Sequence, residues 1–364
     1  MQTQNINTLC VHGARDENNR TGAVTVPVYQ SATFAHPSVG ESTGYDYSRL
    51  QNPTRESLEK TVAALEGGTD ALAFSTGMSA LSVLMELVSS GEHVIASCDL
   101  YGGSVRLLDN VVKRRGISVQ YLQTGDISAV EQAMKDNTKA VFVESPTNPM
   151  MQITDLAAIS SLCKKRGILM FVDNTFMTPI FQQPLSLGAD VVLHSGTKYL
   201  GGHNDTLAGF LVTANAELSE KLRFFYKTIG ACLAPWDSFL IQRGIKTLAL
   251  RMERITDNAK KVAAWLETQP KIQSVLYPGK SGMVTFTTDN ADTARQILGG
   301  VKTILFAESL GGVESLITYP IMQTHADVPV DVREQLGITD RLLRLSVGIE
   351  AVDDIIADLE NALL

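Results

Sequence analysis

Short apolar runs recur between residues 71 and 212 of this chain, and segments with helical patterns separate many of them. Alternation of strand and helix is typical of an α/β sheet whose strands are largely parallel. Such strands are covered on both faces, which explains why each run is continuously apolar. The predicted strands are Ala71–Phe74, His93–Ala96, Ser118–Leu122, Ala140–Val143, Ile168–Val172, Asp190–Leu193 and Ala208–Val212. The predicted helices are Leu81–Val88, Val105–Arg115, Ile127–Lys135 and Leu156–Lys165.

The segments on either side of this region have different patterns. Residues 1–55 have few helical signals and many turn formers, which predicts an extended N-terminal arm. Beyond residue 240 the chain shows a long helical stretch, two short strands and a final amphipathic helix. These are Ile241–Gln269, Met283–Thr287, Thr303–Phe306 and Val352–Leu363. We therefore predict an arm at 1–55, a central domain at 56–240 and a smaller α+β C-terminal domain at 241–364.

Composition excludes several classes of function. The chain is 44% hydrophobic and 19% charged, which is ordinary for a globular protein, and its net charge of -8 argues against a nucleic-acid-binding surface. Its 4 cysteines are far apart and its 6 histidines are dispersed, so neither a metal site nor a disulfide framework is expected. The N-terminus lacks the pattern of a signal peptide, and no apolar run has the length of a membrane span. We therefore expect a cytoplasmic protein with reduced thiols.

Lys198 follows one of the predicted strands, in the segment His194-Ser195-Gly196-Thr197-Lys198. A lysine amine can form a Schiff base with an aldehyde when a dry site lets it lose its proton. Ser195 and Thr197 can hydrogen-bond a phosphate beside that amine, and Asp173 ends a neighbouring apolar run. A reactive lysine, phosphate-binding hydroxyls and an acid that pairs with a pyridinium nitrogen are what pyridoxal phosphate (PLP) requires.

A second phosphate-binding signal lies at Ser75-Thr76-Gly77-Met78, between a predicted strand and a predicted helix. Free backbone N–H groups at a helix start bind phosphate, and Gly77 allows close approach of the backbone. A tight strand–helix turn is the alternative interpretation of the same residues. Ligands of open α/β sheets bind at the carboxyl ends of strands, which is where all of these residues are predicted.

These residues belong to motifs that follow one another along nearly the whole chain. The motifs are Tyr45-Asp46-Tyr47-Ser48-Arg49, Asn52-Pro53-Thr54-Arg55, Ser75-Thr76-Gly77-Met78-Ser79-Ala80, Tyr101-Gly102-Gly103, Glu144-Ser145-Pro146-Thr147-Asn148-Pro149, Val172-Asp173-Asn174-Thr175, the Lys198 segment and Arg344-Leu345-Ser346-Val347-Gly348. Together they resemble the Cys/Met-metabolism PLP family of cystathionine γ-synthases, cystathionine γ- and β-lyases, methionine γ-lyases and homoserine sulfhydrylases. The resemblance runs from about Val11 to about Glu350.

The resemblance implies a fold-type I PLP enzyme, similar to aspartate aminotransferase, and a role for several cofactor-binding residues. It implies that Lys198 carries PLP, that Asp173 pairs with the pyridine nitrogen, and that Asn148 approaches the ring oxygen. Ser195, Thr197, Gly77 and Met78 would surround the phosphate. Tyr101 would stack on the ring with its hydroxyl near the reacting carbons. From the residues alone, Asp173 could instead cap a helix, and Asn148 and Tyr101 could be turn residues.

The arm residues Tyr47 and Arg49 lie two positions apart, on one side of an extended segment. Considered alone, the polar character of these two residues and their position in the arm indicate that they lie on the surface. The resemblance implies instead that they reach the phosphate of a neighbouring subunit. A monomer would then lack a complete site, and we predict a dimer at least and a homotetramer built as two dimers.

For the substrate, the resemblance implies that Arg344 binds the α-carboxylate with help from Ser309. A structural carboxylate could be the partner of Arg344 instead. Glu308 matches a position that is acidic in many γ-acting members, and Arg106 is a candidate for the distal end of the substrate. Amino acids are therefore the expected substrates.

The function expected from the resemblance is γ-replacement on an O-acylhomoserine by cysteine or sulfide. Two differences from the usual pattern of the family favour this function. The loop after Tyr277-Pro278-Gly279 is short, as in a bacterial subgroup of γ-synthases, and Gly103 stands where methionine γ-lyases usually have a cysteine. Cystathionine γ-lyase or β-lyase activity is the alternative. A third and remote alternative is a protein that binds PLP without catalysing a reaction. The presence of Lys198, Asp173, Tyr101 and Arg344 argues against it.

Overall fold

A computed structural model describes residues 4–13 and 21–364. Within them a central sheet has seven strands, and the polar residues identified above lie at or just beyond the ends of several of these strands. Its strands are β1 (Asp70–Phe74), β2 (His93–Ser97), β3 (Ser118–Leu122), β4 (Thr138–Glu144), β5 (Leu169–Asp173), β6 (Val191–Ser195) and β7 (Gly209–Thr213). Their order is β1-β7-β6-β5-β4-β2-β3. Only β7 runs antiparallel to its neighbours within these residues. The prediction of a largely parallel α/β sheet is confirmed.

Helices cover both faces of this sheet. They are α1 (Ile6–His12), α2 (Pro53–Glu66), α3 (Gly77–Leu84), α4 (Gly102–Leu107), α5 (Ile127–Ala133), α6 (Leu156–Arg166), α7 (Thr178–Phe181), α8 (Ala216–Ile229), α9 (Pro235–Ile245) and α10 (Leu248–Leu266). Alternate residues of β4 explain the continuous apolar runs: Val141 and Val143 enter one buried cluster, and Ala140 and Phe142 enter another. Each buried side chain of this kind contributes about 1.5–3 kcal/mol, so burial on two faces fixes the register of the central strands.

Some predicted elements differ from the observed ones. The arm predicted to be extended contains α1, which Asn5 caps by accepting a hydrogen bond from the Asn7 amide. Residues 1–3 and 14–20 of the predicted arm lie outside the described residues. The stretch predicted as one helix at Ile241–Gln269 is divided between α9 and α10 at Lys246 and Thr247.

A second sheet follows α10. Its strands are β8 (Ile272–Leu276), β9 (Met283–Thr288), β10 (Leu305–Phe306), β11 (Leu316–Thr318) and β12 (Leu342–Ser346), in the order β10-β11-β12-β9-β8. Its helices are α11 (Ala291–Gly300), α12 (Val330–Leu336) and α13 (Val352–Leu363). Strands β8, β11 and β12 were not predicted from the sequence. The division into an arm, a central domain and a C-terminal domain with a boundary near residue 240 stays a prediction.

Of the helices in residues 4–13 and 21–364, none combines the length and the apolar character that crossing a membrane requires.

Candidate functional site

A cavity of about 350 Å³ opens where β1, β4, β5 and β6 end and where the loop after β10 and strand β12 of the second sheet approach them. It brings most of the candidate residues together. Those that line it are Gly77, Met78, Tyr101, Asn148, Asp173, Ser195, Thr197, Lys198, Glu308, Ser309 and Arg344. Parallel strands place their carboxyl ends at one edge, which brings residues of the central sheet together there, and the second sheet adds Glu308, Ser309 and Arg344.

Three candidates do not line the cavity of this single chain. Tyr47 is exposed, and Arg49 donates a hydrogen bond of 2.7 Å from Nη1 to the carbonyl of Lys227 at the end of α8. Arg106 makes an ion pair of 2.5 Å with Asp327, and both side chains are more than half exposed.

Lys198 presents a partly buried amine to the cavity. Its Nζ donates a hydrogen bond of 3.0 Å to Ser309 Oγ. Burial, assisted by the positive charge of Arg344, lowers the pKa of Lys198 to about 8, and Glu308 opposes that shift. About a tenth of the amine is therefore unprotonated at pH 7, far more than for an ordinary lysine, and this is the form that reacts with an aldehyde or accepts a proton.

The start of α3 forms a concave backbone surface beside the end of β6. The Thr76 side chain caps the helix by accepting a hydrogen bond of 3.0 Å from the Ser79 amide. The first N–H groups of the helix have no intrahelical acceptor and carry partial positive charge. A Cβ on Gly77 would lie 3.1 Å from Ser195 Cβ, so any side chain at position 77 would crowd this surface. The arrangement suits a phosphate.

Thr197 lines the same end of the cavity but also has a structural task. Its hydroxyl donates to the Ala208 carbonyl at 3.3 Å and accepts from the Ala208 amide at 3.1 Å. These bonds tie the loop that carries Lys198 to the start of β7. No motif or spacing in the sequence indicates this second role.

Two buried carboxyl groups lie side by side at the ends of β4 and β5. Glu144 and Asp173 are partners in the register of these strands. Burial raises the pKa of Asp173, while hydrogen bonds from Thr175 and the nearby His194 oppose the shift. Burial and the neighbouring Asp173 raise the pKa of Glu144 well above its usual value. A bound cation or pyridinium beside this pair would relieve the repulsion between the two acids.

Glu144 also fixes the residue at the start of α4. Its Oε2 accepts a hydrogen bond of 3.1 Å from the Tyr101 amide. The Tyr101 ring occupies the space that a Cβ on Gly103 would enter, so glycine at position 103 permits the observed ring position. The ring is 40% exposed, which leaves its face available to a planar ligand.

Arg344 is a buried cation whose partners are neutral. Its Nη1 donates to Asn148 Oδ1 at 2.8 Å, and its Nη2 donates to the Ser309 carbonyl at 2.9 Å and to Thr318 Oγ1 at 3.1 Å. None of the ion pairs in the described part of the chain includes it, and its buried Nε has no hydrogen-bond partner. Burial lowers its pKa to about 10, so the side chain is charged at neutral pH. A ligand carboxylate would supply the missing counter-charge.

These observations fit PLP on criteria that do not depend on sequence resemblance. The amine of Lys198 can receive an aldehyde, the start of α3 can receive a phosphate, and the buried acid Asp173 can pair with a ring nitrogen. Among the described residues, no three His, Cys, Asp or Glu side chains cluster as a metal ion would require.

Several residues around the cavity were missed or given no role. Glu144 and Thr175 lie within motifs that were recognised, at strand ends where a polar side chain is a signal. Thr324 lines the cavity from an irregular segment, and the buried His325 follows it. No periodicity or motif in the sequence marks that segment, because its residues approach the site only through tertiary packing.

Comparison with known proteins gives consistent results. The family model described as "Cys/Met metabolism PLP-dependent enzyme" matches residues 7–364. The chain is 48% identical to a cystathionine γ-lyase of Bacillus subtilis (strain 168), with 98% of each chain covered. It is also 48% identical to a cystathionine γ-synthase/O-acetylhomoserine (thiol)-lyase of the same organism, over 99% of this chain and 97% of that protein.

A solved structure shows the same architecture. The cystathionine γ-lyase from Lactobacillus plantarum complexed with L-serine superposes with a TM-score of 0.96 at 41% identity, covering 99% of this chain and 98% of that one. The fold-type I architecture expected from the motifs is thereby confirmed.

Proposed function

The chain belongs to the Cys/Met metabolism PLP-dependent enzyme family, and from this membership we propose that it catalyses γ-replacement on an O-acylhomoserine. Cysteine as the nucleophile would give cystathionine, and sulfide would give homocysteine. The alternative is elimination from cystathionine, as in γ- or β-lyases. A γ-lyase and a γ-synthase are equally similar to the chain at 48% identity, so resemblance supports both.

The observation that carries the proposal is the position of Glu308. It lines the cavity next to Ser309, whose hydroxyl oxygen accepts a hydrogen bond from the amine of Lys198. A carboxylate there lies close to the reacting end of a bound substrate and can attract the ammonium group of an incoming amino acid. A replacement reaction with cysteine needs such a subsite for the ammonium group of the nucleophile. Cystathionine carries the same group in its distal half, so a lyase would use the subsite as well, and the product analysis described below separates the two reactions.

Arg344 would orient the substrate. Its guanidinium lacks a counter-charge and already lies within hydrogen-bond reach of Asn148 and Ser309. A substrate α-carboxylate bound there would be held on one side of the cavity, with its amino group turned toward Lys198. Binding the carboxylate at a fixed point restricts rotation of the substrate and so lowers the entropic cost of reaction.

Lys198 would move the protons. When not bonded to the cofactor, its Nζ would remove the proton from the substrate Cα and return a proton at a neighbouring carbon. PLP, when bound, supplies an electron-withdrawing ring that makes the Cα proton acidic. Asp173 would keep the ring nitrogen protonated, and Tyr101 would cover one face of the ring and exclude water from it.

Tyr47 and Arg49 would complete the phosphate site of a neighbouring subunit in a dimer, with a homotetramer formed from two dimers. Both lie in the arm and outside the cavity of their own chain. Arg106 would serve the distal end of the substrate only after its ion pair with Asp327 opens.

Product analysis tests the proposal. The holoenzyme is offered O-acetylhomoserine with cysteine, O-succinylhomoserine with cysteine, and cystathionine alone, and the products are separated by mass. We expect cystathionine to form from a homoserine ester faster than cystathionine is cleaved. Faster cleavage of cystathionine than use of either ester would make the enzyme a lyase, and no turnover of any of the three would leave only PLP binding.

A further inference from the structure

We infer that His325 is a positioning residue for Arg344, acting through Asn148, and that it thereby sets the affinity of the site for the carboxylate of an amino-acid ligand. The inference rests on the proposed role of Arg344 as the partner of that carboxylate. His325 lies outside every recognised motif, in the irregular segment between β11 and α12.

The ring of His325 is held in one orientation. It is buried, and its Nε2 lies 3.1 Å from the backbone carbonyl oxygen of Asn148. A carbonyl oxygen only accepts hydrogen bonds, so Nε2 carries the proton. The other nitrogen, Nδ1, lies 2.8 Å from Thr324 Oγ1, which can donate to it. The Asn148 carbonyl therefore selects the tautomer, and the Thr324 hydroxyl and the backbone of Leu100 also restrain the ring.

The imidazole is neutral in this position. Burial, together with the positive charge of Arg344, lowers the pKa of His325 to about 4. A neutral ring donates a hydrogen bond to Asn148 without placing a second positive charge beside Arg344. The carboxylate-binding charge in this part of the cavity is therefore that of Arg344.

Asn148 transmits the effect to the guanidinium. While its backbone carbonyl accepts from His325, its side-chain Oδ1 accepts from Arg344 Nη1 at 2.8 Å. Other hydrogen bonds hold the two residues that come after Asn148 in the chain. Thr285 Oγ1 donates to the Pro149 carbonyl at 2.7 Å, and the Met150 amide donates to Asp99 Oδ2 at 3.0 Å. Among the described residues, His325 is the hydrogen-bond donor to the Asn148 carbonyl itself. Without it a buried carbonyl is left unsatisfied, and Asn148 is free to rotate away from Arg344.

The surroundings keep the His325 segment against the site. Thr324 lines the cavity, and its carbonyl oxygen occupies the space that a Cβ on Gly102 would enter at the start of α4. The ion pair of Asp327 with Arg106 holds the other end of the segment to the same helix. Several contacts thus hold this segment in place, and the one made by the His325 ring reaches Asn148, the hydrogen-bond partner of Arg344.

Three substitutions separate positioning from simple filling of space. His325→Gln keeps an amide donor near the place of Nε2, His325→Asn has a donor that is too short to reach, and His325→Leu removes the donor with little change in volume. The ligands are L-alanine and ethylamine, which differ by the carboxylate. Binding is followed by the absorbance of the cofactor in the holoenzyme, and thermal unfolding is measured for each variant.

We expect His325→Leu and His325→Asn to weaken binding of L-alanine by about tenfold and to leave ethylamine binding within about twofold, whereas His325→Gln stays close to the unmodified protein for both ligands. Equal weakening for both ligands, or no change for either, would overturn the inference. Should His325→Leu fail to fold, the comparison of His325→Asn with His325→Gln carries the same test.

Neither ligand has a leaving group at Cβ or Cγ, so the result does not depend on whether the enzyme replaces or eliminates. Arg344→Lys is measured beside the His325 variants. If it does not weaken L-alanine binding relative to ethylamine, the proposed role of Arg344 is wrong. If it does so while the His325 variants have no selective effect, only the inference about His325 is wrong.

Discussion

Lys198 Nζ donates a hydrogen bond of 3.0 Å to Ser309 Oγ, and Ser309 has a backbone φ of 101°. A non-glycine residue in this region of φ costs about 1–3 kcal/mol and persists where its surroundings hold it. The bond from Arg344 Nη2 to the Ser309 carbonyl, at 2.9 Å, is one such restraint. The residue that contacts the reactive amine is therefore held under backbone strain by the proposed carboxylate-binding arginine.

Strain at Ser309 predicts opposite effects on stability and activity. Ser309→Gly removes both the strained side chain and the hydroxyl, whereas the control Ser309→Ala removes the hydroxyl alone. We expect both variants to lose roughly tenfold in kcat, since a hydrogen bond to a charged group is worth about 1.5–3 kcal/mol. In urea unfolding, the glycine variant should be more stable than the alanine variant by about 1 kcal/mol. A more stable alanine variant would show that φ at position 309 is not strained.

The pKa of Lys198 predicts the pH dependence of cofactor capture. Because burial lowers this pKa from 10.5 to about 8, the free amine is the minor form below pH 8 and the major form above it. The initial rate at which PLP adds to cofactor-free protein should rise as pH passes through about 8 and then level off. Glu308→Gln removes a negative charge that favours the protonated amine, so the midpoint should move to lower pH. A midpoint near 10.5 in either protein would contradict the burial of the amine.

Borohydride trapping tests which lysine carries the cofactor. The purified holoenzyme should be yellow, and reduction followed by peptide mapping should place the pyridoxyl group on Lys198. The buried environment and the adjacent Ser309 distinguish this amine from surface lysines such as Lys221, which pairs with Glu217 in solvent. Lys198→Ala should lose the absorbance band and the label, and recovery of the label on another lysine would refute the assignment.

The sheet and the strand-end residues could be predicted because their signals are local. The strands that lead into the site are largely apolar runs, and a polar residue ends the run or follows it closely, as Asp173 ends β5 and Ser75 follows β1. Parallel topology then brings these ends together without further information. The motifs added the residues from the second sheet, Ser309 and Arg344, which periodicity alone does not connect to Lys198.

What could not be predicted depends on contacts between distant segments. Arg344 was recognised as a motif residue but its strand was missed, because this charged residue interrupts the apolar run of the buried strand β12. The neutral partners of Arg344 come from β11, from the loop after β10 and from Asn148, and no spacing in the sequence relates them. Arg106 was expected near the substrate, yet its charge is compensated by Asp327, from another part of the chain.

Sharing of the site between subunits can be tested with hybrids. We mix Lys198→Ala protein with Arg49→Ala protein under conditions that exchange subunits. If Tyr47 and Arg49 serve the neighbouring site, some hybrid sites combine an intact Lys198 with an intact Arg49, and activity should return to as much as about a quarter of the unmodified level, in line with random pairing. The separate variants, incubated alone under the same conditions, are the control. If each arm serves its own chain, no hybrid site has both residues and no activity should return.

We expect Glu308 to favour cysteine over sulfide as the nucleophile, because only cysteine carries an ammonium group that a carboxylate can attract. Glu308 is solvent-exposed and lines the cavity beside Ser309, so its contribution should be about 1 kcal/mol, or about fivefold in kcat/KM. Glu308→Gln should therefore lower kcat/KM for cysteine by about fivefold and leave that for sulfide within about twofold, with the same O-acylhomoserine as the first substrate. The exposed acid Glu253, which lies on α10 and does not line the cavity, supplies the control Glu253→Gln, which should change neither. Equal losses with both nucleophiles would remove Glu308 from recognition of cysteine.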